Sequence, residues 1–385
     1  MTSTQFLELV VSLSVQVSVV IITTHWLGKL VNSERAQCRL WTVCYVVLLM
    51  LMFVAVLFPH PRFFQPWASI DSQNASTIVS LEMQTGRVLF FVWLAGTTLS
   101  LLVFLYRALQ VNQFLKTCRA VDPKQYAFAE NLNVVNGNTE SNIKSQVKLL
   151  SSNRLKTPFC SQFHRPYIVI PEYLLEFETQ KINFILRHEL EHLKTGHPLQ
   201  LFLQRLVETI FWFHPMIWWA SQESSLTREF ACDEAAIDSP QEIAQYLRTL
   251  LTIIEYGASQ QDESPTPLAF GRGKSIIAHR ARRLTEIARN HRIPRPFEIS
   301  GTKASGSLVF VAALIGMIWL PVDVLASPRA NWSPWPSWTA GALHDFGFSP
   351  NDFDVYSRHT ELHELLIERE PLTIRSRAHQ MTRRE

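Results

Sequence analysis

The sequence has no C-x-x-C pair. Its five cysteines (Cys38, Cys44, Cys118, Cys160, Cys232) are odd in number and scattered over 385 residues. Such a set does not read as a disulfide framework. Most of them fall in stretches expected to be membrane or cytoplasmic, where thiols stay reduced. A charge excess is also missing: 36 Lys+Arg stand against 33 Asp+Glu, for a net charge of +3. That balance does not point to nucleic acid as a direct partner. There is no internal repeat and no low-complexity tract. The first apolar run lacks the basic start and small-residue cleavage site of a signal peptide, so it is read as a retained span.

Long hydrophobic runs are present. With 47% hydrophobic residues, the chain is large enough for a membrane part and a folded polar part. Three N-terminal runs, near residues 6–27, 40–58 and 88–105, approach the roughly 20 apolar residues that cross a bilayer. A fourth covers about 308–325. The expected organisation is therefore three transmembrane helices with short loops (1–110), a domain at 111–305, a fourth transmembrane helix (306–326) and a short tail (327–385).

Charge placement gives an orientation. Lys29, Arg35 and Arg39 follow the first span, and Arg107, Lys116 and Arg119 follow the third. Arg280, Arg282, Arg283, Arg289, Arg292, Arg295 and Lys303 precede the fourth. By the positive-inside rule the region 106–305 is cytoplasmic and both termini are outside. The basic stretch at 280–303 reads as an anchor to anionic membrane lipid. Trp332, Trp335 and Trp338 follow the last span closely, where interfacial aromatics are expected.

Within 111–305 the pattern is α+β. Apolar runs at 147–150 and 167–170 read as strands, the second bracketed by Pro166 and Pro171 as an edge or terminal strand. Helices are expected at 171–195 (ended by Gly196 and Pro198), 198–219, 221–236 and 241–256, with a loop at 257–267. The 198–219 helix carries Gln200, Gln204 and Glu208 every fourth residue, joined by Arg205, on an otherwise apolar body. Its apolar arc is too wide for an ordinary surface helix, so it should be buried or pressed against lipid. A fifth span is the competing reading, and its polar residues would be costly in hydrocarbon.

The chemistry lies in His188-Glu189-Leu190-Glu191-His192. Residues four apart share a helical face, so His188 and His192 can present imidazoles to one ion. Glu189 sits beside the metal, placed to take a proton from water. H-E-x-x-H alone arises by chance in roughly one chain of this length in a hundred, so a third ligand must be found. The pattern H-E-x-x-H-x-x-G-x-x-H fails here, because Thr195 and Pro198 occupy its last two defined positions. His197 is adjacent and is read as supporting or loop packing. In Arg228-Glu229-Phe230-Ala231-Cys232-Asp233-Glu234, Glu229 is the expected third ligand, and Asp233, four residues on, can accept a histidine ring N–H. A surface carboxylate paired with Arg228 is the plainer reading of Glu229, and Glu234 is the alternative ligand. Glu191 is read as solvated or supporting, and Cys232 as core. Zinc is the expected cofactor. A substrate strand would add to a sheet edge, for which 167–170 is the candidate. Arg228 and His214 are candidate donors to the oxyanion. His214-Pro215 marks a helix kink or break.

On these motifs the chain resembles the BlaR/MecR-type integral-membrane zinc metallopeptidases. The resemblance runs through Thr157-Pro158-Phe159, Arg165 to Pro171, Arg187 to His192, Phe211-Trp212-Phe213-His214-Pro215-Met216-Ile217-Trp218 and Arg228 to Asp233, and covers roughly residues 1–325. It implies a bacterial inner-membrane protein with a cytoplasmic gluzincin-type metallopeptidase domain. His188, His192 and Glu229 would hold zinc, and Glu189 would be catalytic. It further implies a signal transducer that cleaves a cytoplasmic transcriptional repressor or itself. The sequence does not set the oligomeric state, for which a homodimer is one candidate. Sensor members of that family carry a penicillin-binding domain with a Ser-x-x-Lys nucleophile after the last span. Ser-x-x-Lys is absent from residues 327–385, so sensing by acylation is not expected. A short amphipathic helix is readable instead around Leu362, Leu365, Leu366 and Ile367. The competing functions are a quality-control or processing protease of the HtpX or CAAX type, and a non-catalytic receptor or scaffold.

Overall fold

The computed structural model describes residues 3–31, 33–58, 60, 72–121, 147–162, 165–259, 273–289 and 299–320. The chain divides into two compact units, one of residues 1–23, 46–98 and 307–385, the other of residues 24–45 and 99–306. The expected tail helix and interfacial tryptophans lie outside the described residues.

Among the described residues, three helices are long and apolar enough to cross a membrane: α1 (Ser3–Leu30), α2 (Glu34–Leu57) and α3 (Ser72–Thr117), the last apolar enough over Thr77–Thr117. The third is longer than its apolar core requires, because no Pro or turn signal interrupts the polar residues on either side. In the first unit α1 buries Phe6, Leu9, Leu13, Val17, Val20 and Ile21, and Phe6 meets Phe90 and Trp93 of α3 at 5.2 and 5.7 Å. Gly86 of α3 passes the Ser3 carbonyl so closely that a Cβ there would lie 2.0 Å from it.

The fourth apolar helix is shorter than expected within the described residues, and positions 321–326 of the expected span lie outside them. The helix α9 (Gly301–Gly316) has 16 residues, short of the roughly 20 needed, and Ile318 to Leu320 are not helical. A polar face of α1 satisfies that backbone. Gln16 Nε2 donates to the Ile318 carbonyl at 2.9 Å, Leu320 N–H donates to Ser12 Oγ at 3.0 Å, and the Trp319 indole donates to Glu8. Backbone that leaves a helix at membrane depth needs such internal partners.

The second unit contains a four-stranded sheet of β1 (Arg119–Ala120), β2 (Lys148–Ser152), β3 (Phe159–Gln162) and β4 (Pro166–Pro171) in the order β1-β2-β4-β3. β2 and β4 are parallel; the outer pairs are antiparallel. The expected edge, 167–170, is therefore interior, paired on both sides, and the edge next to it is β3. Alternation in β4 fills both faces. Ile168 and Ile170 point to one cluster with Leu149, Leu174, Ile182, Ile185, Leu186 and Ile253. Val169 points to the other, with Leu150, Leu155 and the end of α3 at Phe114 and Leu115.

The helix α4 (Thr179–Lys194) lays Ile182, Ile185, Leu186, Leu190 and Leu193 into the first of these clusters. That spacing of three and four is one helical face. Gly196 ends it at φ 69°, the left-handed conformation that suits a residue without Cβ. Helix α5 (His197–Ile210) follows at once, and α6 (Pro215–Ala236) after a four-residue turn. The single helix expected at 198–219 is thus two, and the second begins six residues before the predicted start at 221. His214 is extended (φ −91°, ψ 116°) because the proline ring after it disfavours the α region, and Pro215 suits the first turn of a new helix. Helices α7 (Ile243–Ser259) and α8 (Gly273–Arg289) complete the unit.

Candidate metal centre

Helix α4 turns its apolar face to the sheet and so presents His188 and His192 on the other side, towards α6. The two Nε2 atoms lie 3.3 Å apart. Glu229 enters from α6, with Oε2 at 3.5 Å from His188 Nε2 and Oε1 at 3.7 Å from His192 Nε2. Donors bound at 2.0–2.2 Å around a tetrahedral ion stand about 3.3–3.6 Å from one another. The imidazole–imidazole–carboxylate set therefore fits a divalent ion of zinc's size. Cys232, one turn beyond Glu229, is fully buried and also lies within 4.8 Å of both histidines. Its expected role as plain core understates this position. Burial and the charges of Glu229, Glu189 and Glu191 hold its thiol well above the usual range, and a thiol must lose its proton to bind zinc. Glu229 is the better third donor. Glu234 is exposed.

The free sides of the imidazoles are occupied. His188 Nδ1 lies 3.2 Å from Asp233 Oδ1 and 3.1 Å from the Tyr246 hydroxyl, which itself donates to Asp233 at 2.6 Å. His192 Nδ1 faces His197 Nδ1 at 2.9 Å. Arg280 of α8 closes the cluster. Its Nε lies 2.8 Å from Asp233 Oδ2, its Nη2 2.5 Å from Oδ1, and its Nη1 3.0 Å from Glu229 Oε2. Glu229 thus pairs with Arg280 and not with Arg228, whose Nη2 donates to Ser225 at 2.8 Å.

Electrostatics follow from this arrangement. Burial opposes a charge on His188, but its bonds to Asp233 and Glu229 outweigh that and raise it to about 9. The site favours positive charge between His188 and Glu229, the charge a divalent ion would carry. Burial works against the Glu229 carboxylate too, yet Arg280 and the histidines hold it well below the usual range. Burial pushes Glu189 up to about 7; His188 pulls it down, Glu229 adds to the rise, and Arg280 opposes it. A carboxyl so placed is suited to taking and returning a proton near neutral pH.

Two expectations change here. Glu191, read as solvated or supporting, is buried and paired with Arg35 of α2 at 2.5 Å. The basic stretch read as a lipid anchor supplies Arg280 to the cluster, and its Arg283 bonds Glu34 of α2 at 2.7 Å. Arg292 and Arg295 lie outside the described residues. Tyr246 was not singled out from sequence, and Arg280 was read only as part of the basic stretch. The available signal was phase: Tyr246 shares an apolar face with Ile243 and Leu250, and Arg280 precedes the buried Leu284 by one turn.

The family described as BlaR1 peptidase M56 matches residues 4–281. Over 241 residues, 61% of its length, the chain is 27% identical to the protein named Regulatory protein BlaR1 of Bacillus licheniformis. It spans 38% of that relative, well under half its length.

Proposed function

The chain belongs to the BlaR1 peptidase M56 family, and from that membership we propose that it is a membrane zinc endopeptidase working as a regulatory signal transducer. The observation that carries this reading is the spacing of 3.3–3.7 Å among the nitrogens of His188 and His192 and the carboxylate of Glu229. In this reading those three residues hold zinc. Asp233 and Tyr246 fix the ring of His188, and His197 fixes that of His192. When bound, the metal polarises the substrate carbonyl and acidifies water. Glu189 takes the proton from the attacking water and returns it to the leaving amine.

The substrate strand adds to the outer side of β3, which has no partner strand there among the described residues. β3 packs against α4, the helix that carries His188 and His192. Main-chain pairing to β3 then gives affinity without demanding a sequence. The substrate is a cytoplasmic transcriptional repressor or the chain itself. Similarity to a relative named as a regulatory protein supports this over a quality-control role of the HtpX or CAAX type. Intact Glu189 supports an enzyme over a scaffold.

The test is metal content and proteolysis of co-expressed cytoplasmic proteins, for wild type and Glu189→Ala side by side. One zinc per chain in both, with cleavage only by wild type, supports the reading. Equal cleavage by the two proteins overturns the role of Glu189. Absence of both zinc and cleavage in folded wild type leaves the scaffold.

A further inference from the structure

Helix α5 is built inside out. Its polar residues are the buried ones: Gln200 and Gln204 are each 2% exposed and Glu208 6%. Its apolar residues face outward, with Leu199 63% exposed, Leu201 41% and Phe202 39%. A helix folding in water would present the opposite face. The buried polar residues are bonded to one another and to neighbours in the same unit. Gln200 Nε2 donates to the Cys38 carbonyl at 3.1 Å and Gln204 Nε2 to Glu208 at 2.9 Å. Ser224 Oγ lies 3.3 Å from Gln204 Oε1 and 2.6 Å from the Tyr45 hydroxyl. Arg205, the charge that counted against a lipid setting, is paired with Glu208 at 2.6 Å.

The outward apolar face continues into the membrane-crossing surface. Phe202 lies 6.1 Å from Phe104 of α3, beside the exposed Leu99, Leu101, Leu102, Leu105 and Tyr106 of that apolar helix. Phe213 of the turn between α5 and α6 and Trp218 in the first turn of α6 are apolar and exposed as well. Depth can be read along α2. Tyr45 lies eleven residues beyond Glu34, roughly 16 Å along the helix, and its side chain leans back towards the helix start. Its hydroxyl meets α6 at Ser224 and the Ala220 carbonyl. Trp219 meets His25 of α1, five residues before that helix ends, with ring centroids 4.8 Å apart. At 14 residues, α5 is roughly 21 Å long and too short to cross the bilayer.

We infer that α5, the turn at 211–214 and the first turns of α6 form a re-entrant hairpin. It dips into the leaflet on the side where α2 begins, with the acyl chains of that leaflet covering Leu199, Phe202, Phe213 and Trp218. The metal centre then lies at the bilayer surface, because Glu229 sits ten residues beyond Trp219 along α6 and Glu191 is tied to the first turn of α2. The inference uses the membrane-crossing helices and is independent of the peptidase reading.

The test uses the full chain in phosphatidylcholine–phosphatidylglycerol proteoliposomes, in a Cys118→Ser/Cys160→Ser background. Spin labels are placed by Leu199→Cys and Phe202→Cys, with Arg282→Cys as the aqueous reference. Leu201→Cys and Phe213→Cys serve where either of the first two variants does not fold. The expected result is that oxygen, which partitions into lipid, relaxes the labels on α5 and the turn at least severalfold more than a water-soluble nickel chelate, with the reverse at position 282. Chelate-dominated relaxation on α5 means the face meets water and overturns the inference. Labels shielded from both reagents, with spin–spin broadening that disappears on dilution with unlabelled protein, mean a second copy covers the face and overturn it equally. Loss of proteolysis without change in these accessibilities would bear on the peptidase reading alone.

Discussion

Arg280 of α8 pairs with Glu229, the carboxylate that completes the candidate metal site, at 3.0 Å from Nη1 to Oε2. The same guanidinium spans both Asp233 oxygens, so a single planar fork fixes two acids one turn apart on α6. Lysine offers a charge but no fork.

Arg280→Ala leaves the buried Asp233 carboxylate and the half-buried Glu229 carboxylate without their shared cation. The expected loss is about 3–5 kcal/mol of stability, read by thermal unfolding of the metal-free protein. Added zinc should recover part of it by neutralising Glu229. Arg280→Lys should fall between wild type and alanine. Unfolding temperatures unchanged in Arg280→Ala would show that the pair does not hold α8 in place.

Tyr246→Phe removes one hydroxyl that touches both His188 and Asp233. Metal affinity should fall by roughly 10–100-fold, measured by competition with a zinc chelator, with the fold retained. Affinity equal to wild type would leave Asp233 as the only orienting partner of His188.

Arg35→Glu faces the buried Glu191 with a like charge. Arg35 is itself half exposed, so the pair contributes only about 1 kcal/mol. The reversed double variant, Arg35→Glu with Glu191→Arg, should recover most of what Arg35→Glu loses in unfolding temperature. Strictly additive losses in the double variant would mean the two side chains do not interact.

Gly196→Ala forces a Cβ into the left-handed region at φ 69° and should cost about 1–2 kcal/mol. Gly196→Asn should cost less, since asparagine tolerates that conformation. The comparison is made by denaturant unfolding, and equal stability of all three proteins would mean the turn relaxes freely.

What the sequence made legible follows from the range of each signal. His188, Glu189 and His192, and the Glu229/Asp233 pair, were readable because helical phase alone puts residues four apart on one face. Joining the two pairs needed the later helix to fold back, which the resemblance supplied and spacing did not. The link of Arg280 and Tyr246 to the site was not legible, since they lie 47 and 13 residues from Asp233 with no local rule to join them, and Arg280 was read as a lipid anchor instead. Glu191 looked solvated because its partner lies 156 residues away. The edge strand was misassigned because prolines flank β4, whereas pairing depends on β3, a segment with little apolar signal. The break at 211–214 was hidden within an aromatic run, although Pro215 marked it.

Glu34 and Arg35 are successive residues in the first turn of α2, and they grip different helices. Arg35 holds α4 through Glu191, the residue before His192. Glu34 holds α8 through Arg283, three residues from Arg280. One turn of a membrane-crossing helix is therefore a yoke across the two helices that set the positions of His192 and Glu229. An axial slide or roll of α2 must carry α4 and α8 together, preserving the site, or shear both ion pairs at once. In mechanical terms α2 is coupled to the centre at two points, one turn wide.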